Sequence, residues 1–161
     1  MINNSANIIQ TYKSGNVSKN PNPLKGNEAV DLGFMTQIAT NLGWTSTNES
    51  VIFFDPGGYG GDHEHLRQEL MVVLRGNPTL LHRDESGGII ETSMGRDDDG
   101  NLSVFYVPSW VPHCVVNPFD SKEPAVLYEV RDRISSEFRS LEGTLRTLLP
   151  LEMQSQAHPL C

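Results

Sequence analysis

Gly57-Gly58-Tyr59-Gly60-Gly61-Asp62-His63-Glu64-His65-Leu66-Arg67-Gln68-Glu69, running on through Met71-Val72-Val73-Leu74-Arg75 to Gly76, is the stretch from which the rest of the chain is best read. Two histidines and a glutamate stand among glycines, and an apolar run of strand length follows. On an extended chain, residues two apart project to the same face, so His63 and His65 point together. Glu69, four beyond His65, keeps that parity if the chain stays extended. Two imidazoles and a carboxylate then converge on one face of a sheet, a donor set that suits first-row divalent metals. The competing reading of the same residues is a solvated glycine-rich loop.

On either side, short apolar runs alternate with turn formers. Phe34–Thr40, Val51–Phe54, Glu69–Arg75, Thr79–His82, Ile89–Thr92, Leu102–Val107, His113–Val116 and Ala125–Arg131 are each of strand length. Between them lie clusters such as Asp55-Pro56-Gly57-Gly58, Gly76-Asn77-Pro78 and Asn117-Pro118. Glycine supplies positive φ there, proline a fixed φ, and Asn or Asp local side-chain bonds. Regular strands without intervening helices predict an all-β sandwich or barrel over residues 31–131. Residues 1–30 read as an arm, because the polar stretch Lys13 to Glu28 buries too little apolar area to offset its ordering entropy. Residues 132–161 read as a helix and tail. Ile134, Phe138, Leu141, Leu145 and Leu148 recur at helical spacing, with Asp132 as N-cap and Pro150 as stop.

The 161 residues are one domain's worth, with 37% hydrophobic and 20% charged residues and a mean hydropathy of -0.35, the composition of an ordinary globular protein. No run approaches the ~18 apolar residues of a membrane span, so no membrane partner is expected. Twelve Lys and Arg against twenty Asp and Glu leave a net charge of -8. Nucleic acid, a polyanion, is disfavoured as a partner. Met1-Ile2-Asn3-Asn4-Ser5 has neither a basic nor an apolar region, so a secretory leader is not expected, and two cysteines, Cys114 and Cys161, are too few for a disulfide framework. A cytoplasmic, reducing setting is the expectation.

The spacing Gly57-x5-His63-x-His65-x3-Glu69-x6-Gly76 resembles, in full, the first signature of the cupins. By the chain's own composition it would arise by accident on the order of one time in ten thousand. Downstream, Pro108-Ser109-Trp110-Val111-Pro112-His113-Cys114-Val115-Val116-Asn117 resembles the second signature, a Pro-containing turn followed by His-x3-Asn. The resemblance implies a double-stranded β-helix, or jelly-roll, barrel, here with a C-terminal α-helix. It implies one divalent metal ion held by His63, His65, Glu69 and His113. Two positions depart from the pattern. Leu102 stands where the second signature has its leading glycine. Trp110 replaces the glycine after Pro108, and because tryptophan takes a left-handed turn only at a cost, a different turn is expected there.

Four protein ligands leave open positions on an octahedral ion, for an anionic or chelating small molecule or for O2. Neutral imidazoles with one carboxylate suit iron(II), so a non-haem iron(II) oxygenase is the leading expectation. A redox-neutral isomerase, lyase or cyclase using Zn, Mn or Ni is the alternative. A small-molecule binding or sensing barrel without catalysis is the third reading. Arg75, Tyr106 and Trp110 are candidates to line the site beside Glu69; Arg67 and Arg75 share the parity of Glu69 and either turn inward or snorkel to the rim. His82 is expected in a solvated charged turn. Cys114 is expected to face away from the metal as a small buried hydrophobe. A homodimer is expected from the family's habit of protecting sheet edges.

Overall fold

The computed structural model describes residues 9–13, 32–84, 86–98, 100–134 and 137–140. Alternating runs punctuated by turn formers build two antiparallel five-stranded sheets. The strands are β1 (Gln10–Lys13), β2 (Asn48–Phe54), β3 (Tyr59–His65), β4 (Glu69–Arg75), β5 (Thr79–Arg83), β6 (Ile89–Ser93), β7 (Ser103–Val107), β8 (His113–Val116), β9 (Ala125–Arg131) and β10 (Phe138–Ser140). One sheet has the order β1-β7-β4-β9-β2 and the other β10-β3-β8-β5-β6. Between their facing surfaces Phe54, Met71, Val73, Leu80, Phe105, Val107, Val115 and Leu127 form the main core. The outer face of the second sheet carries Tyr59, Leu81, Cys114 and Val116, so Cys114 is buried away from the cavity.

Three stretches differ from expectation. Phe34–Thr40 is no strand, for Gly33–Asn41 is helix α1. Met35, Ile38, Ala39 and Leu42 recur at helical spacing and pack on Leu70, Val72 and Val104 of the outer face of the first sheet. Its C-terminus is closed by the left-handed Gly43, with Gly43 N donating to Thr40 O and Trp44 N to Ala39 O, the Schellman pattern. Within the arm, Gln10–Lys13 pairs with β7 and Ile9 joins the core; an open strand edge recruits backbone that composition alone reads as loose.

The third stretch is the C-terminal one. Where the helical stripe begins, Phe138–Ser140 instead forms β10 on the edge of β3, while Ile134 and Phe138 stay exposed. Local periodicity carries no information about an edge that needs hydrogen-bond partners. Asp132, rather than capping a helix, accepts hydrogen bonds from Gln68 N (2.9 Å) and Gln68 Nε2 (3.2 Å). Residues 141–148 of the expected helix lie outside the described residues.

Candidate metal centre

The register of β3 decides which way its histidines look. Tyr59 pairs with Val116, Gly60 with Val115 and Gly61 with Cys114, but His63 then pairs with His113, so Asp62 is an extra residue in a β-bulge. In an unbulged ladder Asp62 would pair with His113 and His63 would fall on the outer face with Cys114. Gly61 (φ 100°) and Asp62 (φ 62°) both take left-handed backbone to form the bulge. A Cβ on Gly61 would sit 2.8 Å from the His113 carbonyl oxygen, so the bulge also requires a residue without a side chain.

The three imidazoles meet with ring centroids 5.0 Å (His63–His65), 5.3 Å (His63–His113) and 4.9 Å (His65–His113) apart. One nitrogen from each lies within 4.8 Å of the others, a group that could hold a metal ion. Glu69 reaches them from the facing sheet. Its Oε1 lies 2.9 Å from His65 Nε2 and its Oε2 3.3 Å from His113 Nε2. Arg67 Nε donates to Glu69 Oε1 at 2.6 Å. His65 and Glu69 are almost fully buried, at 1% and 2% exposure.

Backbone carbonyls orient two of the rings. His65 Nδ1 is 2.8 Å from Arg67 O, and His113 Nδ1 is 2.9 Å from Val111 O. A carbonyl only accepts, so each Nδ1 carries a proton and each ring turns its Nε2 toward Glu69. That second contact, fixing ring and tautomer, is the usual support of a metal-ligating imidazole. His65 Nε2 is buried with no hydrogen-bond partner despite its closeness to Glu69. Two buried imidazole nitrogens gathered on a carboxylate are the donor set that a divalent cation takes.

Electrostatics agree with a crowded donor cluster. Burial, then the charges of His113 and His65, push His63 down to about 3. For Glu69, burial works to raise the carboxyl, but His113 and His65 outweigh it and hold it well below the ordinary range. Burial lowers His113, yet its contact with Glu69 raises it overall.

Beside the cluster lies a cavity of about 290 Å³, lined by His63, His113, Arg67, Ser50, Glu129 and Arg131 with an apolar wall that includes Ile52, Phe54 and Leu127. Glu129 and Arg131 share the inward parity of Leu127 on β9, and a glutamate and an arginine on an apolar face were the signal that sequence reading passed over. Ser50 Oγ donates to Glu129 Oε2 at 2.8 Å. Burial, with the Glu69 charge adding, pushes the Glu129 carboxyl up to about 7. His82 is also buried, with Nε2 3.0 Å from Thr92 Oγ1, and not in a solvated turn.

The structure brings His63, His65, Glu69 and His113 together and leaves three other candidates outside. A second bulge, between Val73 and Arg75, sets Arg75 opposite Val126 and reverses its parity; it is 66% exposed and paired with Glu123 at 2.6 Å. Tyr106 pairs in register with Leu70, on the face covered by α1, and donates to Gln68 Oε1. Trp110 takes the left-handed turn after all, with φ 61°. Its backbone N–H donates to His65 O at 2.7 Å and Arg139 sits 4.6 Å from its ring centroid. Tertiary contacts hold the strained residue, and it does not line the cavity.

No family model and no curated protein matches the chain. Solved structures do. The dTDP-6-deoxy-D-glucose-3,5-epimerase RmlC of Legionella pneumophila is 17% identical, covers 83% of this chain and 76% of its own, and has a TM-score of 0.58. A dTDP sugar isomerase of Desulfovibrio desulfuricans is 16% identical over 82% of each chain, with a TM-score of 0.57. The capsular polysaccharide assembling protein CapF of Staphylococcus aureus is 21% identical over 58% of this chain, with a TM-score of 0.49. The chain spans 28% of the length of that last protein. Among the described residues no helix is long and apolar enough to cross a membrane. The double-sheet topology, with the likeness to the epimerase and the isomerase, identifies the fold of this chain as a jelly roll, the fold that the resemblance of its signatures implied.

Proposed function

We propose that the chain is a metal-dependent enzyme acting on a small organic molecule in the cavity, with His63, His65, Glu69 and His113 holding one divalent ion. The observation that carries this reading is the convergence of three imidazoles, with one nitrogen of each within 4.8 Å of the others, in a cluster where backbone carbonyls orient two of the rings. A bound ion would supply Lewis-acid polarisation and open positions for substrate. The protein's own part is to hold the donors at fixed tautomers, to exclude bulk water with the apolar wall, and to present Arg67, Glu129 and Arg131 to whatever enters.

Three imidazoles with one carboxylate favour iron(II) and an oxygenase reaction. A second reading, redox-neutral isomerisation, lyase or cyclase chemistry with Zn, Mn or Ni, is favoured by Glu129. Its carboxyl lines the cavity and takes a hydrogen bond from Ser50, placing a group able to hold or release a proton beside the substrate. Elemental analysis of anaerobically purified protein tests the centre. Stoichiometric metal, lost in the His63→Ala/His65→Ala double variant, supports it, and equal metal content in both proteins refutes it. Turnover that stops without oxygen selects the oxygenase. Turnover that continues anaerobically and is restored by zinc selects the redox-neutral reaction.

A further inference from the structure

Arg131 stands opposite Glu69 in the β4–β9 ladder, yet Glu69 is already engaged by Arg67 at 2.6 Å. What remains to Arg131 is long. Its Nη2 reaches Ser50 Oγ at 3.3 Å and its Nε lies 3.4 Å from Glu129 Oε2. That Nε is buried and among the described residues makes no hydrogen bond, and Glu129 Oε2 already accepts from Ser50 at 2.8 Å. A guanidinium carries five donors in a rigid fork, and the contacts of this one among the described residues, to Ser50 and Glu129, are both long. Even with both glutamates ionised, a divalent ion together with Arg67 and Arg131 leaves the cavity an excess of positive charge within a chain of net charge -8. Charge of one sign in a cavity is costly unless paired, and the group that would balance it is an anion.

We infer that Arg131, with Ser50 beside it, is the seat for a carboxylate of the substrate, which makes that substrate a small organic acid. The inference rests on the metal reading and deepens it. A carboxylate accepts two parallel N–H bonds from an arginine fork, a match that a lysine cannot reproduce. The cavity of about 290 Å³ lies near the ~300 Å³ lower end of ligand pockets, which fits a compact acid. Arg131 is then a specificity residue, distinct from the metal donors.

The test is calorimetric titration of the Mn(II)-loaded protein with a panel of two- to five-carbon mono- and dicarboxylates, with oxamide and inorganic phosphate as controls. At least one acid should bind saturably and oxamide should not. Arg131→Met should weaken that binding about ten- to a hundredfold, Arg131→Lys should recover part of it, and metal content should stay stoichiometric in both variants. Equal affinity in Arg131→Met, binding of phosphate alone, or no binding by any acid to the metal-loaded chain overturns the inference. Failure to take up metal sinks the metal reading separately. The same titration of the metal-free chain then decides on Arg131, whose substitution must still weaken acid binding.

Discussion

The bulge in β3 turns a histidine toward the cavity, whereas the bulge in β4 turns an arginine away from it. Each inserts one residue into a ladder, Asp62 between Gly61 and His63 and Leu74 between Val73 and Arg75, and each reverses the parity of everything beyond it on that strand. The first completes the three-imidazole cluster. The second moves Arg75 out to Glu123 at the surface. The same backbone device thus assembles the site in one sheet and bounds it in the other. Alternation along a strand is informative only as far as the next bulge.

Breaking the β3 bulge should have the largest effect. Gly61→Val, which cannot take the left-handed backbone of the bulge at low cost and would press a branched side chain on the His113 carbonyl, favours a regular ladder in which Asp62 pairs with His113 and His63 turns to the outer face, and stoichiometric metal uptake should be abolished by elemental analysis. Gly61→Ala is the milder form. It should cost about 1–3 kcal/mol in denaturant unfolding and weaken metal affinity by about tenfold or more, because a Cβ would press on the His113 carbonyl. Metal affinity equal to the parent in both variants would separate the bulge from the site.

A pH titration of the metal-free chain should sharpen the picture at intermediate size. His63, held near 3 in the fold against 6.5, binds its proton more readily when unfolded, so its contribution to stability falls as pH drops from 6.5 toward 3. Glu69, also depressed, adds to the loss below its ordinary value of 4.5. Glu129, raised to about 7 from 4.5, acts oppositely and loses its contribution as pH rises from 4.5 through 7. His113, raised above 6.5, loses its own contribution only above that pH. His63 and Glu129 therefore offset each other between 4.5 and 6.5, and the steep loss of melting temperature should come below 4.5. In a Glu129→Gln variant the decline should instead begin near 6.5.

The outer bulge supplies the smallest expected change. Arg75→Ala removes an ion pair between side chains 66% and 45% exposed, so unfolding should shift by no more than about 0.5 kcal/mol and metal content should not move. A loss of metal in that variant would mean that the two bulges are coupled through β4.

The donor residues were legible in the linear order of amino acids. His63, His65 and Glu69 sit close in sequence, and His113 follows a proline turn of recognisable spacing. Strand identity was legible too wherever an apolar run was bounded by turn formers, with Glu69–Arg75, His113–Val116 and Ala125–Arg131 found at their predicted limits. Short runs such as Phe34–Thr40 misled because seven residues sample both periods, and only the outer face of the first sheet, which receives Met35 and Ala39, selects the helix. Tertiary structure alone decided three things: that an extra residue in β3 points His63 inward, that β10 closes the β3 edge, and that Glu129 and Arg131 share the cavity with the histidines. Each depends on partners distant in the chain, since register and edge pairing are properties of two strands and are encoded in neither one alone.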